Sequence, residues 1–278
     1  DGQLELFVGG RCLPGRWPET APSMLLRQLN GRWSIDTNNS AGLSAVGLVS
    51  GAVFTDLEGD GDPDLVLACE WGSLRVFRND ASALTDATKA LGLETFTGWW
   101  NGVSAGDFDG DGRMDFIASN WGRNTKFEHA RAKPLRLYFG DYNGDGGVGL
   151  IESQFDAALG KYVPIYNVWT QSRSLPWLLD RFPNFETFSR ASVEEALGER
   201  GRAAKVLEAG GLESTMFLNR GGRFEARPLP IEAQLAPAFG VCVADFDGDG
   251  AEDVFLSQNF FSTRPETSRL DAGRGLVL

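Results

Sequence analysis

The sequence predicts an all-β fold: a β-propeller of four-stranded blades, interrupted once by an α-helical insertion. Three observations predict it. A nine-residue stretch rich in Asp and Gly recurs four times, and each copy leads into a short apolar run rich in β-formers. The copies start 51, 34 and 104 residues apart, and a period near 40–50 residues is that of four strands with their turns. The long interval carries a capping-box pattern that opens a helix. The 278 residues then read as one domain, 1–278, holding about five full or partial blades of a larger propeller, with the helical insertion at 156–212. A stacked solenoid is the alternative, but strand-rich solenoid repeats are shorter, roughly 20–30 residues.

The repeated stretch is Asp107-Phe-Asp-Gly-Asp-Gly-Arg-Met-Asp115, with close copies at Asp245–Asp253 and Asp56–Asp64 and a weaker one at Asp141–Gly149. Oxygen-bearing side chains stand at positions 1, 3 and 5, Gly at 6, and a carboxylate at 9 in three copies. That is the ligand order of a loop curled round a hard cation, position 7 giving its backbone carbonyl. The candidate ligands are Asp56, Glu58, Asp60, Asp62 and Asp64; Asp107, Asp109, Asp111, Arg113 and Asp115; Asp245, Asp247, Asp249, Ala251 and Asp253; and, in the weak copy, Asp141, Asn143, Asp145 and Gly147. An all-oxygen, multi-carboxylate set suits Ca²⁺, with three strong sites and a fourth weak one; Mg²⁺ wants a tighter octahedron and Zn²⁺ wants His or Cys. Carboxylates this dense repel one another unless a positive charge lies between them. The loops are not expected to be EF-hands, because their flanks are β-prone and position 12 is Leu67, Ala118 and Leu256 in the strong copies. Glu152 holds position 12 in the weak copy, but a strand there would turn it to the face opposite position 149.

Taken in order, the chain opens with Asp1-Gly-Gln-Leu-Glu5 before an apolar strand, which reads as the second half of a fifth copy and suggests a fragment cut inside it, with a similar cut at Gly275–Leu278. After each strong copy a strand is expected to end in an aromatic turn (Glu70-Trp71-Gly72, Asn120-Trp121-Gly122, Asn259-Phe260-Phe261), followed by a second strand such as Leu74–Asn79. Loops that join first and second strands lie on one face of a propeller, so the turns after the second strand lie on the other. Arg11, Trp17, Trp71, Trp99, Trp100, Asn101, Trp121, Arg123, Phe260 and Phe261 would then form a ligand face away from the metal, or else pack blade against blade. In the insertion, Ser192-Val-Glu-Glu195 is a capping box opening a helix expected to run to about Glu208, ended by Gly210-Gly211.

The net charge of −12 argues against a nucleic-acid partner, and sixteen acidic residues lie inside the four loops, so much of the acidity is ligand charge. No apolar run reaches the ~18 residues of a membrane-spanning helix. Cys12, Cys69 and Cys242 lack metal spacing and read as small apolar core residues. The single histidine, His129, reads as a solvated surface residue, and no P-loop, zinc or nucleophile-elbow pattern is present.

The repeated Asp-Phe-Asp-Gly-Asp-Gly-x-x-Asp before a strand resembles the FG-GAP/VCBS repeats of integrin-α-like propellers. Leu6–Arg11 with Pro14–Pro18, Leu212-Glu-Ser, Leu218-Asn219, Leu229–Gln234 with Ala238-Phe-Gly, and Arg269–Arg274 resemble the ASPIC/UnbV, cartilage-acidic-protein-like group of bacterial proteins. The resemblance implies a secreted, periplasmic or cell-surface calcium-binding propeller. Its expected role is recognition of an extracellular protein or glycan, without catalysis. The alternatives are a polysaccharide lyase or hydrolase, for which Lys161, Tyr162 and Arg173 could supply a base, and a structural segment of a larger adhesin.

Overall fold

The computed structural model describes residues 5–127, 133–264 and 267–278, so Asp1 of the half-copy and His129 lie outside the described residues. Antiparallel strands dominate, and the chain divides into two compact units: Asp1–Cys12 with Thr20–Thr125 and Gly211–Leu278, and Leu13–Glu19 with Lys126–Gly210. Among the described residues no helix is long and apolar enough to cross a membrane.

The first unit is a succession of antiparallel sheets. β1 (Glu5–Val8), β2 (Met24–Leu29) and β3 (Arg32–Ile35) form the first, followed by α1 (Thr37–Leu43), whose Asp36 cap accepts the N–H groups of Asn38 and Asn39. β4 (Leu48–Thr55), β5 (Asp64–Ser73), β6 (Arg75–Asp80) and β7 (Ala83–Asp86) meander as the second, and β8 (Thr97–Trp99) pairs with the far half of β5. β5 does not end at Trp71 as expected. It continues to Ser73 through a register shift at Trp71, whose φ of 54° is a left-handed conformation. β9 (Gly102–Gly106) and β10 (Asp115–Ser119) open the third sheet, and the chain then passes through the second unit.

That unit holds a sheet of its own. β11 (Leu135–Gly140) pairs with β12 (Gly149–Asp156), which pairs with β13 (Lys161–Pro164), and β14 (Lys205–Ala209) closes on the other side of β11. Between β13 and β14 run four short helices: α2 (Val168–Ser172), α3 (Leu178–Arg181), α4 (Phe185–Ser189) and α5 (Val193–Leu197). They bury Val168, Leu178, Phe188 and Val193 against Tyr138 and Ile151 of the sheet. The capping box at Ser192 forms: its Oγ accepts from Glu195 N at 3.0 Å, and Glu195 Oε2 accepts from Ser192 N at 2.6 Å. The helix it opens stops at Gly198, whose φ is +54°, instead of running to Glu208. Residues 205–209 pair with β11, so cross-strand pairing overrides the local helical pattern there.

The chain returns as β15 (Thr215–Asn219) and β16 (Phe224–Pro228), completing the third sheet in the order β9-β10-β15-β16. β17 (Ala238–Ala244), β18 (Asp253–Gln258) and β19 (Leu276–Val277) form the fourth sheet of the unit. The Asp141 copy therefore belongs to the second unit and not to the series in the first. Asp107 and Asp245 are 138 residues apart, but only 53 once the 85 residues of Lys126–Gly210 are set aside, close to the 51 between Asp56 and Asp107.

Period-two alternation buries both faces of the inner sheets. Leu65, Leu67 and Cys69 meet Leu25 and Leu43; Val66 and Ala68 meet Phe116, Ala118 and Phe217; Ile117 and Met216 meet Val254 and Leu256. Glycine sets how closely the first strands of successive sheets approach. A Cβ on Gly51 would lie 2.8 Å from Gly102 Cα, and one on Gly102 would lie 2.7 Å from Phe239 O. Ser50 Oγ donates to Trp100 O at 2.7 Å and Asn101 Nδ2 to Ala238 O at 3.1 Å across the same line. The cysteines are free, and of the three only Cys69 is a core residue; Cys242 is exposed, since among the described residues no sheet covers its face of β17.

Gly102→Ala should lower stability by about 2 kcal/mol, since backbone cannot yield as a side chain can. Gly42→Ala in α1, where nothing lies within 4 Å, should be neutral or stabilising by about 0.5 kcal/mol. Paired urea melts measure the difference, and equal midpoints for the two variants would refute the close approach.

Candidate metal centre

All four loops span the same register. Position 1 follows directly on one strand and position 9 begins the next, so Thr55 faces Asp64, Gly106 faces Asp115, Ala244 faces Asp253 and Gly140 faces Gly149. Strands on both sides exclude the EF-hand architecture. Glycine is needed at position 4 as well as 6, since Gly59, Gly61, Gly110, Gly112, Gly144, Gly146, Gly248 and Gly250 all have φ between 70° and 92°. The demand at position 4 was readable in all four copies but carries no ligand logic.

One hydrogen-bond frame recurs. The position-1 carboxylate accepts the N–H of position 6 at 2.8–3.0 Å and of position 5 at 3.1–3.2 Å in every loop. The position-5 carboxylate accepts the N–H of position 7 at 2.8–3.0 Å. In the three strong copies the position-9 carboxylate reaches back to the N–H of position 2: Leu57 at 3.0 Å, Phe108 at 3.1 Å and Phe246 at 2.8 Å. The position-1 carboxylate thus accepts backbone N–H groups on both oxygens and those of positions 5 and 9 on at least one, which still leaves lone pairs for a further partner.

In the Asp107 and Asp245 loops the carboxylate oxygens of positions 1, 3 and 9 come within 4.8 Å of one another (Asp107, Asp109, Asp115; Asp245, Asp247, Asp253). Two oxygens on one Ca²⁺ at 2.3–2.6 Å stand at most about 5 Å apart, so this spacing fits a single hard cation. In the Asp56 loop Glu58 ion-pairs with Arg78 and lies beside the Asp64 carboxylate. In the Asp141 loop a Cβ at Gly149 would lie 2.6 Å from the Tyr142 ring and 2.9 Å from Leu175, so no carboxylate fits at position 9 as the loop is packed. Protein groups hold that loop: Arg16 Nη1 donates to Gly146 O at 2.8 Å and Trp177 Nε1 to Asn143 Oδ1 at 3.1 Å.

The electrostatics follow from these contacts. Partial burial would raise Asp56, but the N–H groups of Gly61, Gly59 and Asp60 outweigh it and hold its carboxyl below the ordinary range. The N–H of Gly146 leads the same effect on Asp141. A hydrogen bond from Arg220 holds Asp109 down. Asp115 is fully buried, and burial pushes it up despite hydrogen bonds from Asn219 and Phe108. Burial, then the neighbouring Asp64 carboxylate, pushes Glu58 up to about 7.

Three residues outside the expected ligand set hold the loops: Asn219, Asn79 and Glu252. Asn219, at the end of β15, donates its N–H to Asp115 Oδ1 at 2.7 Å and its Nδ2 to Leu57 O, in the neighbouring loop, at 2.7 Å. Asn79 is its counterpart at the end of β6, donating to Asp64 Oδ1 at 2.8 Å. Glu252, at position 8 of the last loop, accepts the N–H of Asp107 at 2.6 Å. The signal was the shared Asn that closes the third strand of both sheets. Between the first two loops lies a cavity of about 230 Å³ lined by Glu58, Arg78, Arg113, Asn219 and Phe224.

The structure does not gather the expected ligand face. Trp71, Trp100, Trp121 and Asn101 are buried. Trp71 and Trp99 lie 4.8 Å apart within the second sheet, Trp99 stacks on Trp121 at 4.2 Å, and Trp121 meets Phe260 at 5.1 Å, so from Trp99 onward aromatics of successive sheets pack against one another. Arg11 pairs with buried Glu70 at 2.8 Å and Arg123 with Glu213 at 3.5 Å. Phe261 is exposed, and Trp17 is half-buried in the second unit. Of the residues weighed as a base, Lys161 pairs with Glu195 at 2.6 Å and the buried Tyr162 donates to Pro134 O at 3.1 Å.

Asn219→Ala strands the buried Leu57 carbonyl and should cost about 2 kcal/mol in a denaturant melt, against little change for the exposed Asn38→Ala. Glu58 has a raised folded pKa, so its contribution is fully present below its ordinary value of 4.5 and is lost as pH rises through about 7. In chelator, Glu58→Gln should therefore be more stable than the parent at pH 8, by about 1 kcal/mol after screening, and no more stable at pH 4. A gain that is the same at both pH values would rule out the strained carboxylate.

No curated protein matches this chain. Residues 56–118, which span the first two loops and the strands between them, match the model of the family described as FG-GAP-like repeat, and this stretch is the part of the chain that the family likeness covers.

Proposed function

We propose that this chain is a calcium-stabilised β-propeller segment that serves as a recognition module outside the cell for a protein or glycan partner. One observation carries the reading. Three loops in successive stacked sheets share one nine-residue frame between the first and second strands, and two of them converge three carboxylate oxygens within 4.8 Å. Sheets that repeat at 51 and 53 residues and stack face to face are what blades of a propeller require. The FG-GAP-like match supports the same architecture and an integrin-like mode of recognition. The ASPIC/UnbV-like group is the finer placement within it.

Calcium follows from the donor set: hard oxygens, several carboxylates, irregular geometry. It would bridge carboxylates that otherwise repel and would stiffen a turn too long to be rigid alone. Loops of this kind with affinities of roughly 10⁻⁴–10⁻³ M fill in extracellular fluid and not in the cytosol, which supports an exported location.

Thermal melts in EDTA, in millimolar Ca²⁺ and in millimolar Mg²⁺ test this. At millimolar Ca²⁺, a one- to tenfold excess over such a Kd, each independent site adds about 0.4–1.4 kcal/mol, so filled loops should together raise Tm by about 5 °C in Ca²⁺ and far less in Mg²⁺. Identical Tm values in EDTA and Ca²⁺ would overturn the reading.

A further inference from the structure

Arg220 follows β15, in the turn to β16, where its N–H donates to Arg223 O at 2.9 Å. Its Nη1 lies 2.6 Å from Asp109 Oδ2 and 3.4 Å from Asp111 Oδ2, the carboxylates at positions 3 and 5 of the Asp107 loop. Arg113 adds a second guanidinium on Asp111. The Asp56 loop carries the same device: Arg78, at the end of β6, pairs with Glu58 at position 3. The Asp245 loop does not. Among the described residues no arginine or lysine ion-pairs with Asp245, Asp247, Asp249 or Asp253, although oxygens of Asp245, Asp247 and Asp253 come within 4.8 Å of one another, as those of the Asp107 loop do.

We propose that Arg220 is a built-in counter-cation of the Asp107 loop, which holds Asp109 and Asp111 when no ion is bound and must release Asp109 before one binds. The inference rests on the calcium reading above. A divalent ion and a guanidinium cannot share one carboxylate oxygen without strong repulsion, so binding is an exchange of cations. The guanidinium has a second anchor for the exchange, since its Nε donates to Glu225 Oε2 at 3.0 Å. Asp109 keeps a partner in the empty state, and Arg220 keeps one in the filled state. The Asp245 loop has no internal cation to displace and should fill first. The arginines thus rank the loops: the loop of the last sheet responds at low ion concentration, and those of the inner sheets at higher concentration.

Isothermal titration of chelator-stripped protein with CaCl₂ tests this on the whole chain. The parent should show one tighter class of site, which Asp247→Asn removes. Arg220→Gln should tighten a weaker site by about five- to tenfold, the size of a partly exposed ion pair that no longer has to be broken. Arg220→Lys, which keeps the charge, should tighten it less. Glu225→Gln removes the second anchor and should weaken the same site, which keeps the test open should Arg220→Gln not fold by far-UV circular dichroism. If Arg220→Gln leaves the weaker class unchanged, or Asp247→Asn leaves the tighter class intact, the exchange is wrong while calcium binding stands. If no variant or parent takes up Ca²⁺ or gains Tm from it, the calcium reading falls and the exchange with it.

Discussion

The carboxylate of the first loop residue, caught by backbone N–H groups four and five residues on, is the constraint on which the rest of this structure depends. It curls eight residues into a turn that returns the chain in a fixed register, so the next strand starts at position 9 in every copy. Two left-handed glycines per loop make the curl sterically possible. A one-residue slip would move every side chain of the second strand to the opposite face, and both faces of the inner sheets are core. The loop frame therefore fixes which residues of β5 and β10 meet which neighbouring sheet.

That dependence runs in both directions. The position-9 carboxylates Asp64 and Asp115 are buried at the root of their strands and hydrogen-bonded by the asparagines that end β6 and β15. Asn219 then reaches the carbonyl of Leu57 in the preceding loop, and Glu252 reaches the N–H of Asp107. The loops are not independent turns on a passive scaffold. The Asp56 and Asp107 loops each share a hydrogen bond with the next sheet, so a change in one carboxylate cluster is felt by the packing of its neighbour, as expected for polar networks in low dielectric. Arg78 in β6 and Arg220 just past β15 bring guanidiniums onto Glu58 and Asp109 beside these asparagines.

Much of the fold was legible in the residues. The Asp-x-Asp-Gly-Asp-Gly pattern gave loop positions, strand starts and flanking strands, because a nine-residue pattern with obligatory glycines admits few conformations. The capping box at Ser192 was legible for the same reason: it is a local bargain between four residues. The end of that helix was not, since the fate of residues 205–209 depends on β11, some seventy residues earlier. The aromatic residues were legible as a group and not in their role. Trp71, Trp99 and Trp121 occupy comparable places near the ends of strands, and a sequence cannot say whether such places meet solvent or one another.

Local features are written in the residues themselves: the acidic loops, their glycines, the strands that leave them and the oxygen-bearing side chains at alternate loop positions. Partnership was settled by tertiary packing. It assigned the Asp141 copy to a separate unit, whose packing of Tyr142 and Leu175 leaves no room for a carboxylate at position 149. It buried Trp71, Trp100 and Trp121, and it brought Arg220 onto Asp109 from 111 residues away. The physical reason is range. Hydrogen bonds within a tight turn depend on neighbours a few residues apart, whereas burial and ion pairing depend on which sheets stack, a choice set by summed apolar contact across the whole chain.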